Sequence, residues 1–345
     1  MRPVHRRDEL EEAYERCRSE AEAAFGNGDL YVERLIPRAR HVEVQIIGDG
    51  TGEVSHLWER ECTLQRRHQK LVEVAPSPGL PAHLRDRLTA AAIRMAEEVR
   101  YQSLGTFEFL IEVGAKSEGA AGEEAAFAFN EVNPRLQVEH TVTEAVTGID
   151  LVKQQLLLAM GRTLDDLGLR QAEVTAPRGF AVEARINLET MDPDGEIRPS
   201  GGRITAFEPP SGPGIRTDSY GYSGYTTNPR FDSLLAKLVC SSASAKFADV
   251  VARTYRALCE FRIEGVSTNL GFLQNLLSHP DVVGDRIDTR FIDDHIAELA
   301  TPSSEHRRLF FDESAAQPTP QSLAGAKVDE VDPLAVLNHG KAPVS

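Results

Sequence analysis

Residues 129–140 read Phe-Asn-Glu-Val-Asn-Pro-Arg-Leu-Gln-Val-Glu-His. A short apolar run, Ala126 to Phe129, leads into them and predicts a strand. Residues two apart in a strand share a face, so Glu131 and Asn133 stand side by side. The same alternation extends through Arg135, Gln137 and Glu139, while Val132, Leu136 and Val138 point the other way. A solvated edge strand could carry polar residues in this rhythm. A carboxylate, an amide, a guanidinium, an amide and a carboxylate in that order suit an active-site strand better.

The rest of the chain bounds what this strand can belong to. With 345 residues it can bury a sizeable core, and two domains are the natural expectation. Hydrophobic and charged contents of 41% and 26% are those of a soluble globular protein. A net charge of −15 argues against a nucleic-acid partner, so local Arg, Lys and His clusters read as sites rather than as a general basic surface. Cys17, Cys62, Cys240 and Cys259 are scattered without CxxC spacing, which predicts free thiols in a reducing compartment. No signal peptide and no apolar run long enough for a bilayer are found, so the expectation is a cytoplasmic protein with no membrane partner.

Read in order, the chain begins with a charged amphipathic helix over residues 7–26 that ends at Gly26-Asn27-Gly28. Strands are predicted at Leu30 to Ile36, His41 to Ile47 and Glu53 to Glu59, then at Leu71 onward after the run Gln65-Arg-Arg-His-Gln-Lys70. Leu84, Leu88, Ala91, Met95 and Val99 mark a helix stripe, Gly105 to Val113 a strand, and residues 114–125 a hairpin loop. Thr141 to Glu144 has capping-box spacing, and Asp150 to Met160 reads as a helix. Beyond Pro177 come strands at Gly179 to Asn187, Ile204 to Phe207, Gly214 to Asp218 and Ser233 to Cys240. Helices follow around Phe247 to Phe261 and Asn269 to Leu277. The mixed order gives an α+β class, with one unit over 1–170, another over 177–298 and a disordered tail or linker over 299–345.

Several polar groups fall where chemistry could use them. Glu108 alternates with aromatic neighbours on its strand. Together with Glu131 and Asn133 it offers the hard oxygen donors that Mg²⁺ prefers, although two unrelated edge glutamates would look the same. His68 and Lys70, with Gln65 near, could clamp phosphate or carboxylate from one side of an extended stretch; a solvated basic strand is the plain alternative. Glu183 and Arg185 share a strand face, where an ion pair between domains would account for them. His41 alone reads as a surface histidine.

Together these runs resemble the biotin carboxylase family: Glu33-Arg-Leu-Ile36, His41-Val-Glu-Val-Gln45, Gln65 to Lys70, Gly105-Thr-Phe-Glu-Phe-Leu110, Phe129 to His140 and Glu183-Ala-Arg-Ile-Asn187. Gly224 to Ser233 and Thr289 to Asp293 resemble motifs of that family's second domain. The resemblance spans roughly residues 1–297. It implies the C-terminal part of an ATP-grasp domain followed by the biotin carboxylase C-terminal domain. The implied reaction is ATP-dependent carboxylation of biotin by bicarbonate, through carboxyphosphate. By the same resemblance Glu108 and Glu131, with Asn133 beside them, would bind Mg²⁺ or Mn²⁺. Glu33, Arg34 and Ile36 would meet the adenine side of ATP, and His41, Gln65 and His68 its ribose and phosphate side. Glu139 would be the base for bicarbonate, which Arg135, Lys70, Gln137 and the backbone at Val138 would hold. Arg185 would stabilise the biotin enolate. Biotin would sit on a separate carrier protein or domain, since no Met-Lys-Met attachment motif occurs. A carboxyltransferase and a second copy, paired through the C-terminal domain, are the other expected partners.

Two departures from the family qualify the expectation. Met1-Arg-Pro-Val4 aligns just after the family's glycine-rich phosphate loop, so whether the isolated chain turns over without that cradle is left open, and it reads as a fragment, or as part of a split or longer enzyme. Arg34 stands where the family more often has lysine. The enzymatic rival is carbamoyl-phosphate synthetase, with its similar Glu-x-Asn-x-Arg strand; the rival of another kind is a catalytically silent dimerisation or interaction module.

Overall fold

The computed structural model describes residues 2–113, 127–228 and 230–310. A single 3-10 turn (Arg7–Glu9) leads into α1 (Leu10–Phe25), which stops where Gly26 turns left-handed at φ 70°. The order then runs β1 (Ala39–Asp49), β2 (Val54–Arg66), β3 (Gln69–Ala75), α2 (Ala82–Glu98), β4 (Gln102–Glu112) and β5 (Phe127–Asn133). Next come α3 (His140–Thr147), α4 (Leu151–Ala159) and α5 (Leu164–Leu167). The second half contributes β6 (Phe180–Asn187), β7 (Glu189–Met191), β8 (Ile197–Pro199), β9 (Ala206–Glu208), β10 (Ile215–Ser219) and β11 (Leu234–Ser242). It closes with α6 (Phe247–Glu260), β12 (Arg262–Glu264), α7 (Leu270–Ser278), α8 (Pro280–Val283), α9 (Phe291–Asp294) and α10 (Ile296–Leu299).

One eight-stranded sheet in the order β10-β11-β6-β3-β2-β1-β4-β5 joins the two halves of the sequence, and every neighbouring pair is antiparallel. The join is made by β3 and β6, in the register Val72↔Ala184, Glu73↔Glu183, Val74↔Val182. The chain packs as one unit as far as Arg308. Of the second unit, which begins at Leu309, only Leu309 and Phe310 are described.

The strand pattern explains where the core sits. In β1 the side chains of Val42, Val44 and Ile46 pack with α2 through Leu84, Leu88 and Ala92, and Phe107 and Phe109 of β4 join them. On the opposite face His41, Glu43 and Gln45 are buried too, and only Ile47, further along, meets apolar partners beneath α4. In β6 Val182, Ala184 and Ile186 enter the core under α6 and α7, while Glu183 and Arg185 face the other way. A strand buried on both sides normally reads apolar throughout; here one side is apolar and the other is filled by paired charges. Gly179 allows β6 to enter beside β11: it sits at φ 64°, and a Cβ there would lie 1.9 Å from the Ser242 carbonyl oxygen.

Several sequence expectations are corrected. Leu30 to Ile36 forms no strand and joins no sheet. The alternation predicted from Glu131 to Glu139 stops at Asn133, because Pro134 cannot donate to a ladder and the chain turns through Arg135 to reach α3. A bulge at Asn130 also shifts the register between Glu108↔Glu131 and Phe109↔Phe129. Thr141 to Glu144 lies inside α3 and is no capping box; Glu139 occupies the N-cap position. Arg67 and His68, at φ 48° and 64°, form the turn between β2 and β3, so Gln65 to Lys70 is a hairpin and not an extended stretch. The loop predicted at 114–125 and most of the tail predicted over 299–345 lie outside the described residues. Within 301–306 the chain is docked: Asn275 donates to the carbonyls of Leu299 and Thr301, and His306 bonds both Asn275 and Tyr255. No helix among the described residues is long and apolar enough to cross a membrane.

Candidate active site

The polar face of the sheet builds the site as a stripe running across the strands. Glu43 on β1 lies opposite Arg60 of β2 on one side and Glu108 of β4 on the other, and Glu108 in turn faces Glu131 of β5. Beyond β2 the stripe continues through Glu73 of β3, Glu183 and Arg185 of β6, and Lys237 of β11. Arg60 is fully buried and makes four bonds: to Glu43, to Gln45 (2.7 Å), and to Thr143 and Thr106 (3.1 Å each). Burial alone would push the Glu43 carboxyl up; Arg60 and then Lys70 outweigh it and hold Glu43 at about 2.

Lys70 is the hub. Cross-strand pairing with Gln65 lifts it from the turn to the centre of the stripe. Its Nζ donates to Glu139 Oε1 at 2.5 Å, to Glu43 Oε2 at 2.6 Å and to Glu108 Oε1 at 3.4 Å. Burial works against the ammonium, but these carboxylates more than offset it and keep its pKa raised. Glu139 is 1% exposed and takes Lys70 on one oxygen and Arg185 Nη2 on the other, at 3.0 Å. Arg185 is also held by Glu73, whose Oε1 takes Nε at 2.6 Å and the same Nη2 that reaches Glu139. The result is a carboxylate aimed by two cations, each of which is itself held by a further carboxylate.

The other end of the stripe is more open. Glu108 Oε2 bonds His41 Nε2 at 2.7 Å, and Gln65 Nε2 reaches His41 Nδ1 at 3.3 Å. Glu108 Oε1 accepts from Asn133 (2.9 Å) and Gln137 (3.1 Å). Burial raises the Glu108 carboxyl, but the His41 bond and the Lys70 charge bring it down to about 2. Glu131 is exposed and accepts from the same Asn133 amide at 2.9 Å.

Other predicted residues do not join this network. Glu33 is exposed, Ile36 is half-buried, and Arg34 is paired with Glu112 at 2.8 Å. His68 is exposed at the tip of its turn. Arg135 is exposed and donates to the Leu136 carbonyl at 3.3 Å. The Val138 carbonyl is near the site but accepts from Lys237 at 2.8 Å.

Comparison with known proteins separates the two enzymatic readings. Residues 1–167 match the family model described as the carbamoyl-phosphate synthase L chain, ATP binding domain. Residues 183–294 match the biotin carboxylase C-terminal domain. The first half alone leaves both readings open, and the second half decides.

The chain belongs to the biotin carboxylase family.

Pyruvate carboxylase of Aspergillus niger is 44% identical over 308 residues, covering 89% of this chain and 25% of the relative. The chain thus spans about a quarter of the length of the curated relatives it matches. Among solved structures, the biotin carboxylase domain of a single-chain bacterial carboxylase matches with a TM-score of 0.73 at 46% identity, covering 87% of this chain and 62% of that one. The biotin carboxylase domain dimer of Hydrogenobacter thermophilus 2-oxoglutarate carboxylase, in complex with MgADP, ADP and bicarbonate, matches with a TM-score of 0.76 at 36% identity, covering 86% and 61%. The α+β fold is therefore an ATP-binding domain portion followed by a biotin carboxylase C-terminal domain.

The donor set at the open end fits magnesium. Asn133 Nδ2 lies 2.9 Å from one oxygen of Glu108 and one of Glu131, so two hard oxygens already converge on the place of an amide nitrogen. Rotating that amide would add a third oxygen. Four members of the polar stripe were missed from the sequence: Glu43, Arg60, Glu73 and Lys237. The first was legible as part of the alternation His41, Glu43, Gln45. Arg60 and Glu73 needed the β1-β2-β3 register, and Lys237 needed the sheet order.

Proposed function

We propose that this site carries out the ATP-dependent carboxylation of biotin by bicarbonate, as the biotin carboxylase component of an acyl-CoA or pyruvate carboxylase. The observation that carries this reading is Glu139 clamped between Lys70 and Arg185. A carboxylate held between two cations serves by placement: the same two cations draw an anionic substrate to it. Glu139 takes the bicarbonate proton, and a carbonate oxygen attacks the γ-phosphate of ATP to give carboxyphosphate and ADP. Carboxyphosphate then yields CO₂ and phosphate, and the phosphate takes the proton of the biotin nitrogen that receives CO₂. Arg185 holds the negative charge that develops on the acceptor, and Lys70, Gln137 and Arg135 hold bicarbonate, Arg135 by swinging in from its exposed turn. Magnesium, held by Glu108, Glu131 and Asn133, would neutralise phosphate charge when bound. His41, Gln65 and His68 on one side, and Glu33, Arg34 and Ile36 on the other, are assigned to the nucleotide.

In this reading biotin arrives on a carrier protein or domain, a carboxyltransferase consumes the product, and the residues from about 177 to 298 form the unit through which two copies pair. The Hydrogenobacter domain is a dimer, which supports that pairing. Free, mostly buried cysteines support a cytoplasmic setting. The test is phosphate release from ATP with magnesium, bicarbonate and free biotin, by the 345-residue chain alone and with added carrier. Release that requires bicarbonate and vanishes in Glu139→Gln is the expected result for a competent site. A folded chain that binds no magnesium nucleotide would instead make it an interaction module of a longer or split carboxylase.

A further inference from the structure

Beneath Arg185 lies a second acidic pair that the reaction does not use. Glu73 and Glu183 are directly opposed across β3 and β6, so their side chains leave the same face of the sheet. Both are 0% exposed. Glu73 gives Oε1 to Arg185, and Glu183 accepts from Thr141 on Oε2. The remaining oxygens, Glu73 Oε2 and Glu183 Oε1, find no hydrogen-bond partner among the described residues. One orphaned oxygen on a buried carboxylate is costly; one on each of two facing carboxylates is the arrangement in which a proton between them satisfies both.

Charge balance points the same way. The buried stripe holds five carboxyl groups, Glu43, Glu73, Glu108, Glu139 and Glu183. Facing them are four cations, Arg60, Lys70, Arg185 and Lys237. Setting the imidazole of His41 aside, one bound proton makes the stripe neutral.

We propose that Glu73 and Glu183 share one proton, and that the protonated pair is a positioning device that fixes Arg185 and, through it, Glu139. Deprotonated, the pair would carry a second negative charge and compete with Glu139 for the guanidinium. The groups facing the pair are Lys70 from β3, Cys62 from β2, Arg185 from β6, Lys237 from β11, Thr141 from α3 and Glu139 from the turn before it, and Asp218 of β10 stands behind Lys237. Burial first, and the neighbouring carboxylate second, raise Glu183 to about 8, while burial raises Glu73 against the pull of Arg185. The role given to Glu139 rests on the function proposed above; the shared proton does not.

Infrared spectroscopy of the whole chain tests the proton directly, because a protonated carboxyl group absorbs apart from carboxylates. At pH 7 the wild type should show such a band, shifted by ¹³C-glutamate labelling and absent from both Glu73→Gln and Glu183→Gln. The band should fade as the pH passes about 8. A carboxyl group whose folded value exceeds its unfolded one stabilises the fold fully below about 4.5 and no longer above about 8, so the wild-type Tm should fall across that window. In Glu183→Gln, where an amide replaces the protonated acid, that fall should be absent. The ¹⁵Nε resonance of Arg185 reads the positioning: it should stay in place in Glu183→Gln and move in Glu183→Ala. A folded wild type with no acid band at pH 7, or a band that survives in both glutamine variants, would overturn the shared proton. An Arg185 signal indifferent to Glu183→Ala would overturn the positioning role, whatever the chain's turnover.

Discussion

Two pairs of glutamates on this sheet stand directly opposite one another on neighbouring strands and have opposite surroundings. Glu108 and Glu131 face each other across β4 and β5, and Glu73 and Glu183 across β3 and β6. The first pair ends at solvent on the edge strand, with one amide lying between its oxygens. The second is sealed against α3, which packs over β3 and β6. Two like charges opposite one another are unfavourable in either place. The open pair can relieve the repulsion with a cation from solution, which is what a magnesium site requires. The sealed pair has no such access, and a proton is the cation small enough to serve. Lys70 and Arg185 connect the two regimes, and both end on Glu139.

Breaking the contrast at its meeting point should have the largest effect. Glu139→Gln is expected to lower bicarbonate-dependent phosphate release by about 10²-fold or more, read in a coupled phosphate assay. Removing the partner of the most buried cation comes next: Glu43→Ala leaves Arg60 without its carboxylate and should cost about 3–5 kcal/mol in urea unfolding. Acidification should separate the two regimes. Glu43 is held at about 2, so its contribution is present above the ordinary carboxylate value of 4.5 and lost as the pH falls toward 2. A drop on the order of 2 kcal/mol between pH 6 and pH 3 is expected from unfolding midpoints, opposite in direction to the loss across the sealed pair as pH rises. At the open end Glu131→Gln should weaken manganese binding, followed by electron paramagnetic resonance, by about tenfold and leave Tm in place. The exposed Arg34–Glu112 pair marks the lower bound: Arg34→Ala should change stability by less than about 0.5 kcal/mol.

Much of this arrangement was legible before any coordinates. Period-two patterns at His41-Glu43-Gln45, Thr106-Glu108 and Glu183-Arg185 identify strands with one polar face, because side-chain direction in a strand is a local property. The errors fell where local pattern met a backbone constraint. Pro134 ended the strand that alternation extended to Glu139, and the two left-handed residues Arg67 and His68 folded an apparently straight basic run into a hairpin. The second error matters for function, since the hairpin turns His68 outward and brings Lys70 beside Gln65. For Leu30 to Ile36, apolar residues suggested a strand, but no neighbouring strand takes up its backbone bonds.

The sequence by itself determined the family, the α+β class and most of the residue types a carboxylation site needs, because these reside in short runs whose order and spacing are covalent. The tertiary structure alone decided which charges neutralise which. Glu73 meets Glu183 across 110 residues of chain, and Lys237 reaches the Val138 carbonyl across 99. Such encounters follow from the sheet order β11-β6-β3-β2, and burial sets what each one costs: a charge shut away from water needs a partner that the fold itself brings, as Arg60 has in Glu43.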